Sequence, residues 1–211
     1  MEVKQNNLIK SLIVQPLIVV IRLDNQFFNL SHKKEDLFFK IDKLSNFGIR
    51  NIEIGWDSNP EWVNLILEIK NKFKSINIGV ASITSRKSLD SIITLDINYS
   101  MSPFFNKEIH LNAIKYNQLV IPGISNIENF KEAINLGYKI VKIFPALKLG
   151  INFIHKLQDF KKKDIFFIGA GGVQSKNLTK LLKSGYDALV IGKELRNQTP
   201  DKDLEVWLKN Y

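Results

Sequence analysis

The chain has 211 residues, with 30 lysines and arginines against 21 aspartates and glutamates, and 45% of its residues are hydrophobic. With 6 prolines, 11 glycines and 24% charged residues, this is the composition of an ordinary globular domain, which excludes collagen-like, coiled-coil and disordered chains. The sequence contains no cysteine, which excludes disulfides, thiolate zinc sites and cysteine nucleophiles and fits a reducing compartment.

A net charge of +9 would suit a protein that binds nucleic acid or anionic membranes. We predict neither partner, because the lysines are dispersed and their densest run, Lys161-Lys162-Lys163, stands beside Asp164. The polar segment Met1–Lys10 is unlike a signal peptide, and the apolar stretch Leu12–Leu23 is too short and too often interrupted to span a bilayer. We therefore expect a cytoplasmic protein.

Short apolar runs alternate with longer segments of helical spacing, which is the pattern of βα units and a parallel sheet. The predicted strands are Leu17–Leu23, Asn51–Trp56, Ile76–Ala81, Ile97–Met101, Leu119–Pro122, Lys139–Phe144, Ile165–Gly169 and Ala188–Ile191. The predicted helices are Asp36–Phe47, a segment opening at Pro60, Ser85–Leu95, Lys107–Tyr116, Ile127–Leu136, Ile151–Phe160, Ser175–Ser184 and Asp201–Asn210.

Eight strands, each followed by a helix, within about 200 residues favour a (β/α)8 TIM barrel over a doubly wound open sheet. No linker or composition shift divides the sequence, so we expect one domain over residues 1–211. Within it, residues 1–16 contain a weakly helical segment, Lys4–Ile13, that we expect to cap the bottom of the barrel.

Three of the predicted strands contain a charged residue, although strands of a parallel sheet are normally apolar. These residues are Arg22, Glu53 and Lys142. Because active sites of such barrels lie at the carboxyl ends of the strands, we expect the three side chains to converge on one site. A single charge of this kind could equally reach the rim or pair with a neighbour, and three together favour the site.

Lys142 is the most informative of the three. Burial among apolar residues lowers the pKa of a lysine, and the free amine is the nucleophile that condenses with a ketone to a Schiff base. Glu53 would supply the base that moves protons, and Arg22 offers a fork for a substrate carboxylate. This chemistry needs no metal and no organic cofactor.

Glycines follow the last two predicted strands, in Gly169-Ala170-Gly171-Gly172 and Ile191-Gly192-Lys193. Loops at these places in a barrel often cradle a phosphate, because glycine lets backbone N–H groups approach the anion. The alternative for Gly171 and Gly172 is a tight turn without a ligand.

At these residues the chain resembles the 2-keto-3-deoxy-6-phosphogluconate (KDPG) aldolases, class I pyruvate-dependent lyases on a (β/α)8 barrel. The resemblance covers essentially the whole chain, with most weight on the Pro-Gly and Lys-x-Phe-Pro-Ala elements. It rests on Val20-Ile21-Arg22, Ile52-Glu53-Ile54, Gly79-Val80-Ala81-Ser82, Met101-Ser102-Pro103, Ile121-Pro122-Gly123-Ile124-Ser125, Val141-Lys142-Ile143-Phe144-Pro145-Ala146 and Gly171-Gly172-Val173.

The resemblance implies a role for each matching residue. It makes Lys142 the Schiff-base lysine and Glu53 a general acid/base that works through a bound water. It places Arg22 and Ser82 near the pyruvyl carboxylate and makes Pro103 a lining residue of the pocket. Gly171 and Gly172 match half of the family's phosphate cradle, with Gly192 and Lys193 at the other half, and a homotrimer is implied as well.

Two departures from the family pattern fall on substrate-facing positions. Asp57 stands where many members have a substrate-binding arginine, and Lys193, followed by Glu194, stands where the phosphate site usually has serine. The candidate substrates that we expect are therefore KDPG, its galactonate epimer and unphosphorylated 4-hydroxy-2-oxoglutarate. A barrel that has lost catalysis, or another phosphate-binding barrel lyase or isomerase, is the alternative to an aldolase.

Overall fold

The computed structural model describes residues 1–161, 164–192 and 202–211, without the side chains of residues 158, 159 and 161. Lys193 and Glu194, which the sequence placed near a phosphate site, lie outside the described residues. The strands are β1 (Leu17–Ile21), β2 (Asn51–Gly55), β3 (Asn77–Ala81), β4 (Ser100–Met101), β5 (Val120–Ile121), β6 (Gly123–Ile124), β7 (Ile140–Ile143), β8 (Phe166–Ala170) and β9 (Ala188–Ile191).

All strand pairs are parallel, and the strands follow the order β5-β4-β3-β2-β1-β9-β8-β7-β6 around the sheet. The end strands β5 and β6 are separated only by Pro122, so they are two parts of one strand. Proline has no N–H for the ladder, but its carbonyl accepts a hydrogen bond from the Lys142 N–H at 3.0 Å. The sheet thus closes on itself, and the predicted (β/α)8 barrel is confirmed.

The helices lie between the strands and bury one apolar face against them; in α3, for instance, Trp62, Leu65, Ile66 and Ile69 are buried. They are α1 (Glu2–Val14), α2 (His32–Asn46), α3 (Trp62–Lys72), α4 (Arg86–Leu95), α5 (Lys107–Lys115), α6 (Ile127–Asn135), α7 (Ala146–Lys161), α8 (Leu178–Lys183) and α9 (Lys202–Leu208). None of the helices in the described ranges is long and apolar enough to cross a membrane.

Helix α1 covers the amino-terminal end of the barrel. The amide of Gln5 donates to the Gly137 carbonyl at 3.1 Å and accepts from the Lys139 N–H at 2.7 Å, both just before β7. Just before β2, the side-chain amide of Gln15 likewise donates to the Gly48 carbonyl and accepts from the Arg50 N–H, both at 2.9 Å. Since these contacts lie at the starts of strands, the opposite end of the barrel is left open for a site.

Several element boundaries differ from the prediction. Strand β1 stops at Ile21, so Arg22 lies one residue beyond it. Strand β4 is shortened because the Ile97 N–H bonds back to the Ile92 carbonyl of α4 instead of joining the sheet. Helix α7 begins five residues earlier than expected and is broken at Gly150, whose φ is 72°.

Candidate active site

The structure places two of the three predicted strand charges inside the barrel. Lys142 in β7 is 7% exposed and Glu53 in β2 is 2% exposed. The prediction that Arg22 is also embedded in a strand is wrong, because the pairing of β1 ends before it and its side chain is exposed at the open end. The site therefore has two buried charges and one at its rim.

Strand register explains how two charged side chains fit into the barrel. Glu53 lies opposite Gly79 of β3, and Lys142 lies opposite Gly123 of β6. Directly opposed residues of parallel strands share a face of the sheet, so neither glycine brings a side chain of its own against the charge beside it. Each buried charge thus stands beside a position without a side chain.

The interior shifts the pKa values of the two groups toward each other. Burial raises the pKa of Glu53 to about 7, against the opposing effect of the positive charges of Lys142 and Arg22. Burial likewise lowers the pKa of Lys142 to about 8, with Glu53 opposing the shift and Arg22 adding to it. Both groups can therefore exchange protons near neutral pH, which suits a nucleophilic amine and a general base.

Each of the two groups has a distinctive feature in its surroundings. The ammonium nitrogen of Lys142 lies 5.3 Å from the centre of the Phe144 ring, a cation–π contact that partly offsets its burial. Glu53 Oε1 is buried without a hydrogen-bond partner among the described residues. A buried carboxylate oxygen of this kind marks a place where a substrate or water is expected.

Arg22 and Ser82 meet at the rim of the barrel. The guanidinium Nη1 of Arg22 donates to Ser82 Oγ at 3.0 Å. Ser82 follows β3 directly and has a φ of 70°, a left-handed conformation that is unfavourable for residues other than glycine. Strained backbone of this kind concentrates at functional sites, and here it holds a hydroxyl beside the guanidinium.

Pro103 is brought to the same region by a close contact with β6. A β-carbon placed on Gly123 would lie 2.3 Å from the carbonyl carbon and oxygen of Pro103, so only glycine fits there. Gly123 is directly opposite Lys142, so the Pro103 backbone packs on the face of β6 that corresponds to the side-chain face of Lys142.

The glycines after β8 pack against the loop that follows Lys142. Gly171 and Gly172 have φ values of 91° and 83°, which glycine adopts without strain. A β-carbon on Gly171 would lie 3.0 Å from Phe144 and Pro145, and one on Gly172 would lie 2.8 Å from Leu147. A tight turn that binds no ligand is enough to account for this packing. The phosphate-binding role of both residues therefore stays a prediction.

The end of the last strand repeats this close approach. A β-carbon on Gly192 would lie 2.6 Å from Val20 Cγ1, where β9 runs beside β1. Its predicted phosphate contact stays a prediction too, and its partner Lys193 is outside the described residues.

Two features of the site were not foreseen. The Asp57 carboxylate accepts the Asn59 N–H at 2.8 Å, which turns the chain before α3, so the unusual residue has a structural use. Tyr99, which the sequence suggested only as part of a strand, lies in the barrel beside Gly79. One indication of this position is present in the sequence: Tyr99 stands two residues before Met101, so the two side chains lie on the same face of the predicted strand.

Comparisons with known proteins agree with this geometry. Residues 10–205 match the family described as "Aldolase: KDPG and KHG aldolase". The chain is 24% identical to 2-dehydro-3-deoxy-6-phosphogalactonate aldolase of Escherichia coli (strain K12), over 85% of this chain and 84% of that protein. It is 22% identical to 2-dehydro-3-deoxy-phosphogluconate aldolase of Treponema pallidum (strain Nichols), over 63% of each.

Similar folds occur among solved structures. One described as "Native KDPGal structure" has a TM-score of 0.78 at 21% identity and covers 92% of this chain and 94% of its own. A KDPG aldolase from Legionella pneumophila, with pyruvate captured as a covalent carbinolamine, has a TM-score of 0.74 at 21% identity, over 92% and 91% of the two chains. Together with the family match over residues 10–205, these findings show that the chain belongs to the KDPG and KHG aldolases, a family of carbon–carbon lyases.

Proposed function

We propose that this protein is a Schiff-base aldolase that cleaves a 2-keto-4-hydroxy acid into pyruvate and an aldehyde. The observation that carries the proposal is the burial of Lys142 and Glu53 in one barrel interior, with pKa values of about 8 and about 7. The preferred substrate is KDPG, which would yield glyceraldehyde 3-phosphate and place the enzyme in the Entner-Doudoroff pathway. A homotrimer in the cytoplasm is part of the same proposal.

The reaction begins with attack of the Lys142 amine on the keto carbon, followed by loss of water to give a protonated imine. Glu53 accepts the proton of the C4 hydroxyl through a bound water, and the C3–C4 electron pair moves into the imine as the aldehyde leaves. The resulting enamine takes a proton back at C3, and water then hydrolyses the imine to release pyruvate and the free lysine.

The remaining residues of the site hold the substrate. The Arg22 guanidinium and the Ser82 hydroxyl bind the carboxylate of the keto acid, since a planar fork of donors suits a carboxylate. Pro103 lines the pocket beside Lys142. Gly171, Gly172 and Gly192 receive the phosphate of a phosphorylated substrate, together with the Lys193 ammonium.

The test is the intact mass of the protein after incubation with pyruvate and sodium borohydride. Wild type is expected to gain one reduced pyruvyl group. Lys142→Ala should gain none, while Lys139→Ala, at an exposed lysine just before the same strand, should react like wild type. A folded wild type that forms no adduct would favour the barrel without catalysis.

The second candidate function is an aldolase for unphosphorylated 4-hydroxy-2-oxoglutarate, and the third is an aldolase for KDP-galactonate. The observation behind the former is the Asp57 carboxylate beyond the carboxyl end of β2, which would repel the double negative charge of a phosphate more strongly than the single charge of the second carboxylate of 4-hydroxy-2-oxoglutarate. Asp57→Asn keeps an oxygen for the Asn59 N–H and removes the charge. Pyruvate release should then rise several-fold for phosphorylated substrates relative to unphosphorylated ones, whereas an unchanged ratio would remove Asp57 from substrate choice.

A further inference from the structure

Two buried oxygen atoms in the barrel interior have no hydrogen-bond partner among the described residues. One is Oε1 of Glu53 and the other is the hydroxyl of Tyr99, which is 0% exposed. Buried polar atoms without partners are rare, because each one forfeits its bonds to water. Two of them in one layer of a barrel suggest that they interact in the working enzyme.

The strand register puts Tyr99 in the layer that contains Glu53. Glu53 is opposite Gly79, and Val80 is opposite Ser100, so Gly79 faces Tyr99. The Val80 N–H donates to the Tyr99 carbonyl at 3.2 Å, in line with this register. The glycine is therefore the one residue that separates the tyrosine from the carboxylate within the layer.

The tyrosine ring occupies the volume that Gly79 leaves free. A β-carbon on this glycine would lie 2.3 Å from Cζ of Tyr99, the carbon that carries the hydroxyl, and 2.5 and 2.7 Å from its neighbours Cε2 and Cε1. The far edge of the ring thus lies over β3, and adjacent strands are about 4.8 Å apart. The hydroxyl makes no direct bond to Glu53 in this structure, but only Gly79 stands between the two residues in the layer, so one water molecule or a small shift of the ring would join them.

The electrostatics are consistent with this proximity. The pKa of Tyr99 is raised well above its ordinary value, first by burial and second by the charge of Glu53. The phenol therefore keeps its proton over the whole working range, and it can only donate to the ionised carboxylate. The other charged groups that act on Glu53 are Lys142 and Arg22.

We propose that Tyr99 is a positioning residue for Glu53: its hydroxyl donates a hydrogen bond to the ionised carboxylate, which fixes the base and favours its charged form. The inference rests on the proposed function, in which Glu53 moves the protons. It assigns Tyr99 no contact with the substrate.

The experiment follows the exchange of pyruvate methyl protons for deuterium by NMR, as a function of pD. The Lys142 amine forms the imine with loss of water, ionised Glu53 removes a methyl proton to give the enamine, and the exchanged carboxyl returns a deuteron. This half-reaction needs no aldehyde, so it can be measured before the natural substrate is known. With pyruvate saturating, the lysine is held as the imine, so the rate falls on the acid side as Glu53 takes up a proton.

Tyr99→Phe removes the hydroxyl and keeps the ring over Gly79. The acid limb of the profile should move up by about one pD unit, the value of one hydrogen bond to a charged group. At pD 6 exchange should be about tenfold slower than in wild type, while the rates converge on the alkaline side. A role in packing alone would not displace the limb.

Tyr186→Phe is the matched control. The Tyr186 hydroxyl is likewise buried without a partner in the described structure, and its ring packs against a strand glycine, Gly169. Burial alone raises the pKa of Tyr186 to about 12, so Glu53 does not act on it. Its substitution should leave the acid limb in place.

An unmoved limb in Tyr99→Phe, or equal displacement in both variants, would overturn the role of Tyr99 while the borohydride adduct still supports the aldolase. Wild type with neither adduct nor exchange would overturn the proposed function and this inference together. If Tyr99→Phe fails to fold, wild-type protein containing 3-fluorotyrosine tests the same hydrogen bond. Its more acidic hydroxyl should move the acid limb downward, and no movement would refute the hydrogen bond.

Discussion

Replacing Lys142 by methionine should make the protein more stable while abolishing its proposed chemistry. Burial lowers the pKa of Lys142 from 10.5 to about 8, so the folded state holds the lysine proton less tightly than the unfolded state by about 2.5 pKa units. Each unit corresponds to about 1.4 kcal/mol, which makes the charged lysine about 3 kcal/mol unfavourable for folding. Methionine has a similar shape and no charge, so Lys142→Met removes this term.

The pH dependence of the gain follows from the two pKa values. The unfavourable term is present in full below about pH 8, shrinks as pH rises, and is gone above pH 10.5, where the lysine is neutral in both states. Removal of Lys142 also removes an attraction that lowers the pKa of Glu53. At pH 7 this change is small in free energy, because the carboxyl, with a pKa of about 7, takes up a proton instead.

Urea unfolding of wild type and Lys142→Met at pH 7 and pH 10 measures this difference. We expect a gain of about 3 kcal/mol at pH 7, or roughly 6 to 12 °C in Tm, and a clearly smaller gain at pH 10. The control is Lys180→Met, at an exposed position of α8, whose free energy of unfolding should hardly change. A methionine variant that is less stable than wild type at pH 7 would refute the reasoning from burial.

Three further outcomes follow from the site and its surroundings. Glu53→Gln should slow the exchange of pyruvate methyl protons by about 100-fold to 10,000-fold. Borohydride trapping on Lys142 should still reach completion after long incubation. An unchanged exchange rate would show that Glu53 is not the base. Ser82→Gly relieves a left-handed φ but adds chain entropy to the unfolded state. The free energy of unfolding in urea should therefore rise by about 0.5 kcal/mol, while the KM for pyruvate also rises. A loss of stability above about 1 kcal/mol would contradict the strain argument. Burial lowers the pKa of His110 to about 4, so stability should fall by about 3 kcal/mol as pH drops from 6.5 to 4, and His110→Phe should flatten this part of the pH profile.

The fold and the two central residues could be predicted because their signals are local. Each barrel strand is a short apolar run in the sequence, and a charge inside such a run stands out whatever surrounds it. Glu53 and Lys142 were found in this way, since a charge in a buried strand must be paired, protonated or functional. The closure of the sheet followed from the number of strands alone.

Features that depend on pairing between distant segments could not be predicted. Whether Arg22 belongs to a strand is decided by where β1 stops pairing with β2, and the sequence of either strand alone does not contain that information. Tyr99 reads as an ordinary core aromatic, because its neighbour Gly79 lies twenty residues earlier in the chain. Only the register brings this ring and the Glu53 carboxylate into one layer.

The two glycines beside the charged residues let one segment of the chain reach into the layers of both charges. A barrel of eight strands is normally filled by inward side chains. Here Gly79 and Gly123 contribute no side chain to the layers of the two charges, and the space is taken by the Tyr99 ring and by the Pro103 backbone. Both of these groups come from the single segment around β4, so that segment fills the place beside Gly79 in the layer of Glu53 and the place beside Gly123 in the layer of Lys142.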